Sequence, residues 1–135
     1  MRRFLDTNIL VYLYDNADKD KQQRARDVIA DESASLVLSS QVLGEFFVVA
    51  TRKFATPLSI ADAVAAVRSF ADLSVVPIDA ELVLAAGSTV ERHQMSYWDS
   101  LILEAAAASG CTEILTEDLN TGSTLRGVAI VNPFV

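Results

Sequence analysis

Five short apolar runs punctuate this chain: Arg3-Phe4-Leu5, Ser35-Leu36-Val37-Leu38, Ser74-Val75-Val76-Pro77, Thr112 to Leu115 and Val128 to Val131. Helix-patterned segments fill the intervals from the first run to the fourth. That alternation limits the fold more than any other feature. Parallel strands need crossover connections, and helices are the usual crossovers, so the pattern specifies a parallel sheet covered on both faces. The helices are expected over Thr7 to Tyr14, Lys19 to Asp31 (Ala25, Val28 and Ile29 inward) and Ser40 to Phe54, where Pro57 helps the stop. Three more follow. One is capped by Ser59 and runs through Ala63, Val64, Val67 and Phe70. One spans Asp79 to His93 with Leu82, Val83 and Ala86. The last runs from Ser96 to Ser109 and is stopped by Gly110. With 135 residues, 51% hydrophobic, and only scattered Pro and Gly, the chain suits one compact α/β domain spanning residues 1–135.

Charge and cysteine usage narrow the class. The net charge of −7 argues against a non-specific nucleic-acid coat, which would be basic. It leaves room for a nuclease whose acids hold divalent ions, because such ions reverse the local potential. The single cysteine, Cys111, excludes an internal disulfide and gives no sign of an oxidising compartment. No apolar run is long enough for a membrane span, and Asp6 and Asn8 break any secretory-signal pattern. A cytoplasmic protein is the expectation.

Four carboxylates stand in or at the ends of apolar segments: Asp6 after Phe-Leu, Glu45 within Val-Leu-Gly-Glu-Phe-Phe-Val-Val, Asp99 within Tyr-Trp-Asp-Ser-Leu-Ile-Leu, and Asp118 after Ile-Leu-Thr-Glu. A charge near a core needs compensation. If the four converge, a hard divalent cation is the natural partner. Asp6 and Asp118 each lie just past a strand end, where open α/β sheets bind ligands. Each acid also has a plainer role. Asp6 can cap the following helix, Asp99 completes a capping box with Ser96, and Asp118 suits a turn. Glu45 is the hardest to place at the surface, since three of its helical neighbours, Val42, Val48 and Val49, are apolar. Thr7, Asn8 and Thr116 are polar groups beside the acids that can orient a ligand or cap backbone amides.

These stretches resemble a known family. Phe-Leu-Asp6-Thr7-Asn8 is similar to the opening signature of PIN domains, and Ser40 to Phe46, with Glu45, to their second motif. Ser96-Tyr97-Trp98-Asp99-Ser100-Leu101-Ile102 resembles the third and most specific motif, and Leu115-Thr116-Glu117-Asp118-Leu119 the fourth. The likeness spans nearly the whole chain and is strongest to VapC-type toxins of bacterial and archaeal toxin–antitoxin pairs. It implies a three-layer α/β/α sandwich around a mainly parallel sheet, a Mg²⁺- or Mn²⁺-dependent endoribonuclease, a homodimer and a cognate antitoxin.

On that reading Asp6 and Asp99 are the first metal ligands. Glu45 and Asp118 complete the cage directly or through water, and one acid accepts a proton from the attacking water. Among the helix-borne cations Arg24, Arg26, Arg52, Lys53, Arg68 and Arg92, the pair Arg52-Lys53, about two turns beyond Glu45, is the first choice for RNA backbone contact. Trp98 can stack a base, though a core or interface role is the stronger expectation. Ile9, Tyr12 and Leu13 form an apolar surface for an antitoxin segment. His93 is read as a surface residue. Two other classes remain open: a Mg²⁺-binding phosphoacceptor signalling domain, which lacks here an acidic pair after the first strand and a Lys near Thr116, and a non-catalytic interaction module. Metal-dependent RNA cleavage separates the first reading from both.

Overall fold

The structure, a computed structural model, describes all 135 residues. Chain order is β1 (Arg2–Leu5), α1 (Thr7–Tyr14), α2 (Lys19–Ala30), β2 (Ser35–Ser39), α3 (Ser40–Arg52), α4 (Ile60–Phe70), β3 (Ser74–Val76), α5 (Ala80–His93), α6 (Tyr97–Ala108), β4 (Glu113–Leu115), β5 (Thr124–Leu125) and β6 (Val128–Val131). The strands make one sheet in the order β3-β2-β1-β4-β6-β5. All pairings are parallel except β5 with β6. The helices form two groups, α1 with α2, α3 and α4, and α5 with α6, giving the expected three-layer sandwich. No helix is long and apolar enough to cross a membrane.

Topology places the functional end. The chain runs outward from β1 to β2 and β3, then returns to the other side of β1 as β4. The crevice beyond the carboxyl ends of β1 and β4 is therefore a switch point, the usual ligand position in such sheets. Leu5 pairs with Leu115, and the ladder continues one step as the Asp6 amide donates to the Leu115 carbonyl at 3.1 Å. Asp6 and the β4–β5 turn thus open on the same edge.

Helix starts follow local chemistry. Asp18, Ser39, Ser59, Asp79 and Ser96 each accept a backbone N–H from the first turn of the next helix. The Ala-rich stretch of α6 lets it sit against β2, β4 and β6 with Ser100 to Ala106 all buried. Gly110 follows α6 at φ +72°, a left-handed position that suits glycine. The core is a cluster of 27 buried residues, with Phe4, Leu5, Val37, Leu38 and Ile114 from the sheet. Tyr14, Phe46 and Phe70 form an aromatic triangle with centroids 5.2–5.9 Å apart, tying α1, α3 and α4 together.

Several sequence expectations change. β5 was not foreseen. It is two residues long and joins β6 through Arg126-Gly127, both at positive φ, as a tight hairpin requires. Ile29 is exposed rather than inward, because Gln22, Ala25 and Val28 make the buried stripe of α2. Ile9 is fully buried, so it offers no surface to a partner; Tyr12 and Leu13 are half-buried. Trp98 is 63% exposed and takes no part in the core. The helix expected to reach Phe54 ends at Arg52.

Candidate active site

Asp6 is the central group. It is the N-cap of α1, and its Oδ1 accepts the Thr7 amide at 2.7 Å. Its Oδ2 accepts the Thr116 hydroxyl at 2.7 Å. Thr116 also accepts the amides of Asp118 and Leu119, at 3.1 and 3.4 Å. With its lone pairs so engaged, the hydroxyl proton has one direction left, toward Asp6. One side chain therefore shapes the β4–β5 turn and ties it to β1. Thr116→Val, close in volume, should strand two backbone donors and cost roughly 1–3 kcal/mol. Urea unfolding at neutral pH measures this.

Two further carboxylates surround Asp6. Glu45, on α3, accepts the Thr7 hydroxyl at 3.0 Å and the Gln41 amide at 2.7 Å. Asp118 accepts the Asn8 amide at 2.9 Å. Burial, then the negative charges of Asp118 and Glu45, push the Asp6 carboxyl up to about 6, against the hydrogen bonds from Thr116 and Thr7 that lower it. The ion pairs of the chain are Arg3 with Asp31 and Glu113, Lys21 with Glu117, and Arg126 with Glu104; none reaches Asp6, Glu45, Asp99 or Asp118.

Asp99 is half-buried on the first turn of α6, where Ser96 caps its amide at 3.1 Å. A connection to Glu45 exists. Gln41, which holds Glu45, also donates to the carbonyl of Trp98 at 3.3 Å, one residue before Asp99. Sequence reading passed over Gln41. Its signal was the spacing of four from Glu45 on one helix. Glu45 and Asp118 are themselves exposed, so only Asp6 carries the burial expected of all four.

A second cluster braces the Asp118 turn. Glu117 accepts from the Tyr12 hydroxyl and from Lys21 Nζ at 2.9 Å, and Lys21 lies over the Tyr12 and Phe134 rings. Burial and Glu117 together hold the Tyr12 phenol above its ordinary range. These partners lie 96 to 105 residues apart in the chain, beyond any spacing rule. Arg52 and Lys53 are exposed at the end of α3, and His93 is exposed at the end of α5.

No three His, Cys, Asp or Glu side chains close on a point ready to hold an ion. Asp6, Glu45 and Asp118 instead face uncharged donors: Thr116 and Thr7, Thr7 and Gln41, and Asn8. The donor set nevertheless fits a hard divalent cation. It is all oxygen, it has no Lys or Arg to neutralise it, and the buried Asn8 Oδ1 beside it has no hydrogen-bond partner. The bonds from the Thr7 hydroxyl to Glu45 and from the Asn8 amide to Asp118 are charge-assisted, and each carboxylate keeps further lone pairs for an ion.

No curated protein sequence matches the chain at a significant level. Solved structures do. The VapC20 toxin of Mycobacterium tuberculosis, which cleaves the sarcin–ricin loop, is 23% identical over 87% of this chain and 91% of its own, with a TM-score of 0.71. A toxin–antitoxin complex from Klebsiella pneumoniae gives 17% identity, 97% coverage of both chains and a TM-score of 0.72. VapBC2 from Rickettsia felis, bound to a promoter DNA fragment, gives 17%, 98% of both and 0.66. These likenesses establish the shared architecture. The PIN-domain model matches residues 3–123, which takes in Asp6, Glu45, Asp99 and Asp118, and the chain belongs to the PIN-domain family.

Proposed function

We propose that this chain is a Mg²⁺- or Mn²⁺-dependent endoribonuclease, the toxin of a type II toxin–antitoxin pair. One observation carries the reading: Asp6 is buried at the switch point beside two like charges, with no cation to offset them. Family membership and toxin structures among its neighbours support it. Asp6 and Asp99 would be the principal ligands, with Glu45 and Asp118 completing the set directly or through water. A bound divalent ion would supply neutralisation of phosphate charge and acidification of water. The chain's own residues do the rest. Thr116 and the Thr7 amide fix the Asp6 carboxylate, Thr7 and Gln41 hold Glu45 across from it, and Asn8 aims Asp118. With Asp6, Glu45 and Asp118 close together, one is available to accept a proton from water.

The expected partners are RNA, an antitoxin and a second copy of the chain, in the cytoplasm, with residues 1–135 acting as one domain. Half-buried Tyr12 and Leu13 remain in the antitoxin surface, without Ile9. An antitoxin Arg entering the acidic site would offset the charge that no residue here offsets. Purified protein should cut RNA in Mg²⁺ or Mn²⁺ and stop in EDTA, leaving 5′-phosphate ends. Sequencing the ends from cells in which the chain is induced reads the target. Absence of cleavage with either ion, together with unimpaired growth on induction, would reject the proposal.

A further inference from the structure

We propose that Tyr12, Lys21 and Glu117 are positioning residues: their three-way clamp on the turn after β4 keeps Asp118 in place at the acidic site. This rests on the metal-dependent reading of that site and adds to it residues outside the four acids. The turn carries two acids in succession, Glu117 and Asp118, and α1 holds both. Asn8 donates to Asp118 Oδ2 at 2.9 Å, and the Tyr12 hydroxyl donates to Glu117 Oε1. Asn8 and Tyr12 are four residues apart, so the two donors stand one turn apart on a single face of the helix. Two points of attachment fix an orientation where one leaves a pivot.

The Glu117 attachment is the firmer of the two. Asp118 is exposed, and Asn8 is the one side chain that donates to it. Glu117 is half-buried, and each of its oxygens has its own donor, Tyr12 on Oε1 and Lys21 Nζ, at 2.9 Å, on Oε2. Lys21 Nζ also donates to the Tyr12 oxygen at 3.1 Å, which closes the ring of three. It stands 4.9 Å from the centre of the Tyr12 ring, and Phe134 packs edge-on against that ring, also at 4.9 Å. Aromatic faces thus shield part of the pair from water, which strengthens it. Of the chain's ion pairs, Lys21 with Glu117 alone involves this turn. The division of labour matters. Asn8 holds the same carboxylate that a metal would use, so the two must share it. Glu117 is held at a neighbouring side chain, so that hold is untouched when Asp118 takes up a metal. Because Lys21 offsets Glu117, the clamp steadies the turn without adding net charge beside the acids.

Mn²⁺ calorimetry at pH 7 and steady-state RNA cleavage, run side by side, test the clamp. Tyr12→Phe deletes one hydroxyl, keeps the ring against Phe134 and leaves the charge unchanged. It should weaken Mn²⁺ binding and lower kcat, each roughly tenfold, at an unchanged KM for RNA. Lys21→Met should do the same. By charge alone, losing that cation would tighten Mn²⁺ binding, so the sign of the change separates positioning from simple electrostatics. Lys21→Arg, which keeps the cation, should restore most of both losses. Adding Glu117→Gln to Tyr12→Phe should cost little more, since residues of one network are coupled. A lowered urea midpoint in EDTA, with Mn²⁺ affinity and kcat within twofold of the parent, would make the cluster merely structural and overturn the proposal. A rise in KM alone, with Mn²⁺ binding unchanged, would make Lys21 a phosphate contact and overturn it equally. If the parent binds Mn²⁺ but cuts no RNA, the ribonuclease reading falls, and Mn²⁺ affinity still decides the clamp. If the parent binds no Mn²⁺, the clamp falls with the metal site.

Discussion

Asp6→Asn should reduce RNA cleavage by roughly a hundredfold or more and yield a protein that resists unfolding better than the parent in EDTA at pH 8. Both effects have one cause. The Asp6 carboxylate is buried near Glu45 and Asp118 with no cation beside it. A carboxyl moved from 3.8 to about 6 destabilises the ionised folded state by on the order of 3 kcal/mol. Asn removes the charge but keeps one acceptor for the Thr7 amide. It cannot also accept the Thr116 hydroxyl on the opposite side, where its amide presents a donor, and that lost charge-assisted bond costs about 1.5–3 kcal/mol. A net gain of up to roughly 1.5 kcal/mol remains. Paired urea titrations and cleavage assays measure the two effects. A variant that is inactive and much less stable would mark Asp6 as chiefly a helix cap.

The contribution of Asp6 to the stability of the metal-free protein should fall as pH rises from about 4 to above 6. The Asp6 carboxyl is raised in the folded state, so that state holds its proton more tightly than the unfolded chain does. Its favourable contribution is complete below the unfolded value near 3.8 and is lost as pH passes through about 6. The loss is on the order of 3 kcal/mol, and Asp6→Asn should abolish it. Subtracting the two proteins' unfolding free energies across pH removes the contribution of the other acids. Saturating Mg²⁺ should reverse the slope for the parent, since an ion binds the ionised carboxylate and stabilises the folded form by mass action. A difference curve flat from pH 4 to 8 would show that Asp6 is adequately solvated and needs no ion.

How much of this was legible without coordinates differs by residue. The Phe-Leu-Asp run disclosed both the end of β1 and the cap of α1, since an acid after a buried strand and before a helix has few other uses. Thr116 and Asp118 were legible at β4 only as polar groups just past a strand end, since a turn and not a helix follows. Glu45 was misread as to burial: Val42 and Phe46 face the core, but Val48 on the Glu45 side is open to solvent. An apolar neighbour signals burial only when its own side is covered, and tertiary packing decides that. For Trp98 a core or interface role was expected, and the structure leaves it out of the core. The Lys21–Glu117–Tyr12 cluster and the β5 hairpin were invisible, because their partners meet through packing and turn geometry.

Asp6 and its neighbouring acids should share a divalent ion. Calorimetric titration of Mn²⁺ into parent and Asp6→Asn proteins at pH 7 tests it without reference to activity. A saturable binding event in the parent, absent from the variant, is the expected result. Equal binding by both proteins, or none by the parent, would contradict it.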